Sequence, residues 1–221
     1  MRKSIEGNVI DVRARIDEAA RRAGRDPSRV RLLAATKNRT KEEVAAALRA
    51  GVDMVGENRV QEFLSKVEEV EGAEWHFIGH LQRNKVKYIV GRVGLIHSVD
   101  SVSLAEELDR RWRGAGPGAD VLLQVNVSGE ESKQGFPAGE LEEALKLIKD
   151  LESVNVKGLS TMAPHENAEK VRTVFRAVRE LSEGLGLESP ELSMGMTNDY
   201  EVAVEEGSTI VRIGTAIFEH D

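Results

Sequence analysis

Val30-Arg31-Leu32-Leu33-Ala34-Ala35-Thr36 is an apolar run of strand length that ends at Lys37. Short, mostly apolar and bounded by polar residues, it reads as a buried strand of a parallel sheet. Upstream, Ile5, Val9, Ile10, Val12, Ile16 and Ala19-Ala20 recur at helical spacing across residues 4–23, which predicts an opening helix. Downstream, a helix is expected over 41–50, with Thr40 as its N-cap and Gly51 as its stop.

The alternation then continues to the end of the chain. Strands are expected at 54–56, 75–78, 95–98, 120–126, 155–160, 191–194 and 209–213. Helices are expected at 59–70, 82–90, 101–113, from Pro137 to 151, 168–185 and 200–206, with a loop at Gly114-Ala115-Gly116-Pro117-Gly118. Eight short strands separated by seven helices, with one more helix in front, predict an α/β fold. The version expected is a single (β/α)8 TIM barrel domain over residues 1–221, with an extra N-terminal helix. A doubly wound sheet is the competitor, but no Gly-x-Gly-x-x-Gly follows the first strand, which weakens its dinucleotide-binding form.

Composition agrees. The chain has 221 residues, and such barrels typically take about 250 and can be as short as about 200. Aromatics are only 4%, so the core must be built of Val, Leu, Ile and Ala. The net charge of -7 argues against a nucleic-acid partner, which wants a basic surface. Arg83-Asn84-Lys85-Val86-Lys87 is a local cluster that suits an anion. With no cysteine, disulfides, thiolate nucleophiles and thiolate-bound metals are excluded. No segment approaches the roughly 20 apolar residues of a membrane helix, and no apolar signal core opens the chain. The chain reads as cytoplasmic, with no membrane partner.

In a barrel, residues just past the strand ends gather on one face, where the active site sits. The candidates there are Lys37, Glu57-Asn58, Gly79-His80, Ser98 to Asp100, Asn126 with Ser128, Thr161, Ser193 with Gly195, and Gly214-Thr215. Partial desolvation at the mouth of the first strand disfavours an ammonium, so Lys37 reads as a free amine able to form a Schiff base with an aldehyde such as pyridoxal phosphate. The same lysine also reads as a surface residue. Ser193-Met194-Gly195-Met196 and Arg212-Ile213-Gly214-Thr215 place small residues where this fold binds phosphate, although Gly and Ser also end many strands. Arg212 lies two residues before Gly214 and so shares its side of the last strand. It would face a pyridine nitrogen, leaving it unprotonated, or a core carboxylate.

Other groupings are weaker. His76 and His80 are four apart, but on a strand-to-loop segment this is no helical metal pair. Asp199 with Glu201 reads as charge at a helix start, and Asn167 to Arg179 as a solvated helix face. Lys133, in the polar loop 128–135, reads as exposed.

Several stretches carry a resemblance. They include Ala34-Ala35-Thr36-Lys37, Val55-Gly56-Glu57-Asn58-Arg59-Val60-Gln61-Glu62, and Trp75 through Lys85 (Trp-His-Phe-Ile-Gly-His-Leu-Gln-Arg-Asn-Lys). Others are Ile96-His97-Ser98-Val99-Asp100, Gln124 to Ser128 with Lys133 to Gly135, Leu192 to Met196, and Val211 to Phe218. With these the chain resembles the pyridoxal phosphate homeostasis proteins (the YggS/PROSC-like group), relatives of the alanine racemase barrel domain.

The resemblance implies pyridoxal 5'-phosphate as cofactor, held by Lys37 as a Schiff base. It implies Ser193, Met194, Gly214 and Thr215 around the phosphate, Arg212 at the pyridine nitrogen, and Asn58 lining the pocket. It also implies buffering of the cofactor and its delivery to apo-enzymes, in a monomer, with no established turnover. An amino-acid racemase and a non-covalent phosphometabolite-binding barrel are the rivals. Thr36 stands where the family usually has serine, His80 where proline is frequent, and Ser160 where methionine is usual. The tail ends at Glu219-His220-Asp221, without the lysines of some relatives.

Overall fold

The computed structural model describes residues 4–127, 129, 134–164 and 166–219. Ser128, Lys133, His220 and Asp221 of the sequence reading lie outside them. The opening run forms strand β1, Arg31–Ala35, and the expected alternation follows. The other barrel strands are β2 (Met54–Glu57), β3 (Trp75–Phe77), β4 (Leu95–Val99), β5 (Ala119–Asn126), β6 (Val154–Ser160), β7 (Glu191–Ser193) and β8 (Ile210–Ile213). All pair in parallel with their sequence neighbours, and β1 pairs with β8 through Leu33 opposite Arg212, which closes the (β/α)8 barrel.

The helices are α1 (Ile5–Arg22), α2 (Lys41–Arg49), α3 (Val60–Leu64), α4 (Val102–Trp112), α5 (Leu141–Lys149), α6 (Ala168–Gly184), α7 (Tyr200–Glu205) and α8 (Thr215–Phe218). Thr40 does cap α2, in a reciprocal box with Glu43. Ser101 caps α4. The extra helix α1 buries Val9, Val12, Ile16, Ala19 and Ala20 against α2, α7 and α8. Asn8 Nδ2 donates to the Ile217 carbonyl at 3.0 Å, tying α1 to α8.

Two expectations are corrected, and one short helix is added. The helix expected over 59–70 is α3 alone; beyond Leu64 the chain continues as turns. The connector expected as a helix at 82–90 is a 3-10 helix, Arg83–Tyr88. Its three-residue turn brings Val86 and Ile89 into line, and both are fully buried. Pro137 stands near the start of its helical stretch, as expected: after a two-residue parallel ladder of Phe136–Pro137 with Val125 and Asn126, Pro137 precedes a 3-10 turn, Ala138–Glu140, that runs into α5 at Leu141. Helix α8 was not expected at all.

Apolar residues occupy two layers. The larger packs the outside of the sheet against the helices. The smaller (Leu33, Met54, Leu95, Leu122 and Ile210) fills the barrel interior. Above it, on the same inward positions of the strands, the side chains become polar: His97 two residues after Leu95, and Arg212 two after Ile210. This switch puts polar chemistry at the strands' C-terminal ends.

Candidate functional site

A cavity of about 520 Å³ opens at the C-terminal face. That is ample for a small cofactor, since ligand pockets span about 300–1,000 Å³. Its lining includes Lys37, Asn58, Arg212, Gly214 and Thr215. Five of the residues singled out by sequence are therefore gathered from β1, β2 and β8 around one space.

Lys37 follows the end of β1 and is exposed, not partly desolvated as the sequence reading held. Its backbone is nonetheless fixed. Thr36 is fully buried; its hydroxyl donates to Glu57 Oε1 at 2.6 Å, and its carbonyl accepts from Lys66 Nζ at 2.9 Å. Lys66 also pairs with Glu57 at 2.5 Å, with both side chains buried. On the other side of Lys37, Asn38 takes a left-handed φ of 59° and donates its N–H to Glu62 at 2.8 Å. Asparagine tolerates that conformation better than most residues. Glu57, a strand-end candidate, thus points away from the cavity and supports the turn that carries Lys37. Its second oxygen accepts the Asn58 N–H at 3.2 Å.

The opposite wall comes from β7 and β8. Arg212 is 7% exposed, and burial pushes its guanidinium down to about 10, countered by Asp199. Its donors go to the Ser193 carbonyl at 2.7 Å, the Ser193 hydroxyl at 2.5 Å and the Thr161 carbonyl at 2.8 Å. The core carboxylate that sequence reasoning allowed as its partner is replaced by these neutral acceptors.

Ser193 and Met194 are buried beneath the cavity and do not line it. The Met194 N–H donates to the Ile210 carbonyl at 3.2 Å. Met196 and Thr197, a few residues on, do line it. The intervening Gly195 has φ of 98°, and a Cβ there would sit 2.6 Å from that of Ala203, so glycine is required. Asp199 accepts the Met196 N–H at 2.5 Å and shapes the turn. Thr197 Oγ1 accepts the Ala216 N–H at 3.4 Å, joining the loops after β7 and β8.

His80 lines a neighbouring hollow that shares Asn58, and it contacts Asp100 at 3.2 Å. Sequence reasoning missed Arg39, Met162, Thr197 and Asn198 in the main cavity. Thr197-Asn198-Asp199 was legible as a polar run just past a strand end. Lys66 also left a trace, being the one charge on the buried stripe of Val60, Phe63 and Val70. Among the described residues, no group of three or more His, Cys, Asp or Glu is placed to hold a metal ion.

The alanine racemase N-terminal domain matches residues 8–221. A pyridoxal phosphate homeostasis protein of Aquifex aeolicus is 48% identical over 92% of this chain and 92% of its own length. The crystal structure of an unknown protein from Bifidobacterium adolescentis superposes with a TM-score of 0.90 at 41% identity, covering 97% of this chain and 94% of that one. PipY of Synechococcus elongatus, solved with PLP bound, gives 0.81 at 34% identity over 92% of this chain and 100% of that one.

Proposed function

This chain belongs to the family of pyridoxal phosphate homeostasis proteins, which share the alanine racemase N-terminal domain, and we propose on that premise that it binds pyridoxal 5'-phosphate in the cavity at the C-terminal face. The ligand would be held through Lys37 as a Schiff base, then buffered and handed on to apo-enzymes. One observation carries the reading: Lys37 and Arg212 line the same space as the Gly214-Thr215 turn.

That donor set fits the cofactor. When bound, the cofactor supplies an aldehyde, which joins a primary amine as a C=N bond with loss of water. Lys37 provides the amine on a turn braced by Thr36, Glu57 and Glu62. Arg212 has only hydrogens to offer, so it would donate to the ring nitrogen and leave it unprotonated. An unprotonated ring is a weak electron sink, which suits storage more than carbanion chemistry. Gly214 and Thr215 would hold the phosphate together with Met196 and Thr197, which take the place foreseen for Ser193 and Met194. Asn58 would line the ring.

The proposal includes a cytoplasmic monomer without turnover. The monomer is supported by how few large apolar side chains are exposed among the described residues (Ile10, Tyr88, Leu147 and Met162). No helix among the described residues is long and apolar enough to cross a membrane.

The test is an absorption spectrum with pyridoxal phosphate, then borohydride reduction and peptide mapping. A yellow adduct trapped on Lys37 and lost in Lys37→Ala, with the far-UV spectrum unchanged, is the expected result. No adduct, or one scattered over surface lysines, returns the chain to non-covalent binding. Steady conversion of L-alanine to D-alanine, abolished in Lys37→Ala, would make it a racemase instead.

A further inference from the structure

A line of hydrogen bonds crosses the barrel interior from the cavity to the opposite face. Arg212 Nη1 on β8 donates to Ser193 Oγ on β7 at 2.5 Å. Ser193 Oγ meets His97 Nδ1 on β4 at 2.8 Å. His97 Nε2 meets His76 Nδ1 on β3 at 2.9 Å, and His76 Nε2 meets Glu74 Oε1 at 2.9 Å. Ser193, His97 and His76 are each at most 2% exposed, while the Glu74 side chain is 54% exposed. Glu74 and His76 line a separate hollow with Arg31, Leu95 and Glu191, at the strands' N-terminal ends. β4 and β7 are not neighbours in the sheet, so the Ser193–His97 contact spans the barrel.

The two ends of this line fix its direction. Arginine only donates, and a carboxylate only accepts. The bond from His76 holds Glu74 below the usual carboxylate range, so it is ionised at neutral pH. It therefore requires a hydrogen on His76 Nε2. A neutral His76 then has Nδ1 as an acceptor, which requires the hydrogen of His97 to be on Nε2. His97 Nδ1 is left as an acceptor and takes the Ser193 hydroxyl hydrogen. The Ser193 oxygen then turns its lone pairs to Arg212. With His76 neutral, the exposed carboxylate at the far end assigns every hydrogen in the line.

We propose that Glu74, His76, His97 and Ser193 are positioning residues for Arg212, setting its guanidinium in the cavity floor from the other face of the barrel. The part of this that concerns the ligand rests on the reading above, in which Arg212 meets the ring nitrogen. The line itself belongs to the protein without ligand.

The experiment is 15N NMR of histidine-labelled protein, first without ligand. Both rings should carry their hydrogen on Nε2. Hydrogen on Nδ1 of His97 would overturn the proposal, because Ser193 would then receive from both sides. In Glu74→Ala the tautomers of His76 and His97 should become mixed. Affinity for pyridoxal 5'-phosphate should fall by about tenfold, the scale of one buried hydrogen bond to a charged group, and the absorption of the bound cofactor should shift. Glu74→Gln keeps a carbonyl acceptor and should restore all three readouts. Unchanged tautomers and affinity in Glu74→Ala would overturn the proposal. If wild-type protein binds no pyridoxal phosphate, the functional reading fails, while the tautomers in wild type and Glu74→Ala still decide the hydrogen-bond line.

Discussion

The two walls of the cavity are held by opposite means. Behind Lys37 lies a buried ion pair, Lys66 with Glu57, locked to Thr36. Behind Arg212 lies a line of neutral groups, with charge kept to its ends. A buried ion pair is intolerant of losing one partner, because the other is left charged and unsolvated. A line of neutral groups loses one ordinary hydrogen bond at a time. The lysine wall should therefore fail abruptly and the arginine wall by degrees.

The largest effect tests the abrupt wall. Glu57→Ala leaves the buried Lys66 ammonium with only the longer contact to Glu62, at 3.7 Å, and should cost about 3 kcal/mol in urea denaturation. A loss under about 1 kcal/mol would show that the pair is not buried as described, since exposed pairs contribute that little. The next effect shapes the arginine wall. Gly195→Ala must hold a left-handed backbone and press a methyl group on Ala203. It should cost about 2–3 kcal/mol, read from the same denaturation curves.

A smaller effect comes from His97. Burial, with the charge of Arg212 nearby, holds its folded-state value well below the ordinary 6.5. Below that pH the unfolded chain takes up a proton that the folded chain refuses. Stability should fall as pH drops from 6.5, by about 1.4 kcal/mol per unit, until the folded value is reached. His97→Gln should remove that part of the slope. Equal slopes in both proteins would mean that His97 takes up its proton without unfolding.

The smallest effect sharpens the contrast most. Replacing both charges of the lysine wall (Glu57→Leu with Lys66→Met) should leave stability within about 1 kcal/mol of wild type. The Thr36 brace would still be gone. Pyridoxal phosphate binding should weaken in this stable protein, and unchanged binding would show that the ion pair does not position Lys37.

Much of this arrangement was legible in the sequence. Period and length gave all eight strands, because each buried strand is a short apolar run between polar breaks. Lys37, Arg212 and Gly214 stood out because strand ends of a barrel converge on one face. The supports were not legible. Glu57 and Lys66 meet only once α3 has broken into turns, and His76 reaches His97 only across closed strands. Ser193 was placed at the phosphate because small residues at a strand end look alike. Only the barrel's alternation shows that Ser193 lies below the cavity while Thr197 opens onto it.

Lys37 stands exposed at the rim, although its backbone is held firmly from behind. Water that reaches a side chain also reaches any bond made on it. A C=N link at this rim would be formed and hydrolysed by the same traffic, so the quantity such a site tunes is residence time. A lid over Lys37 would turn a lender into a trap.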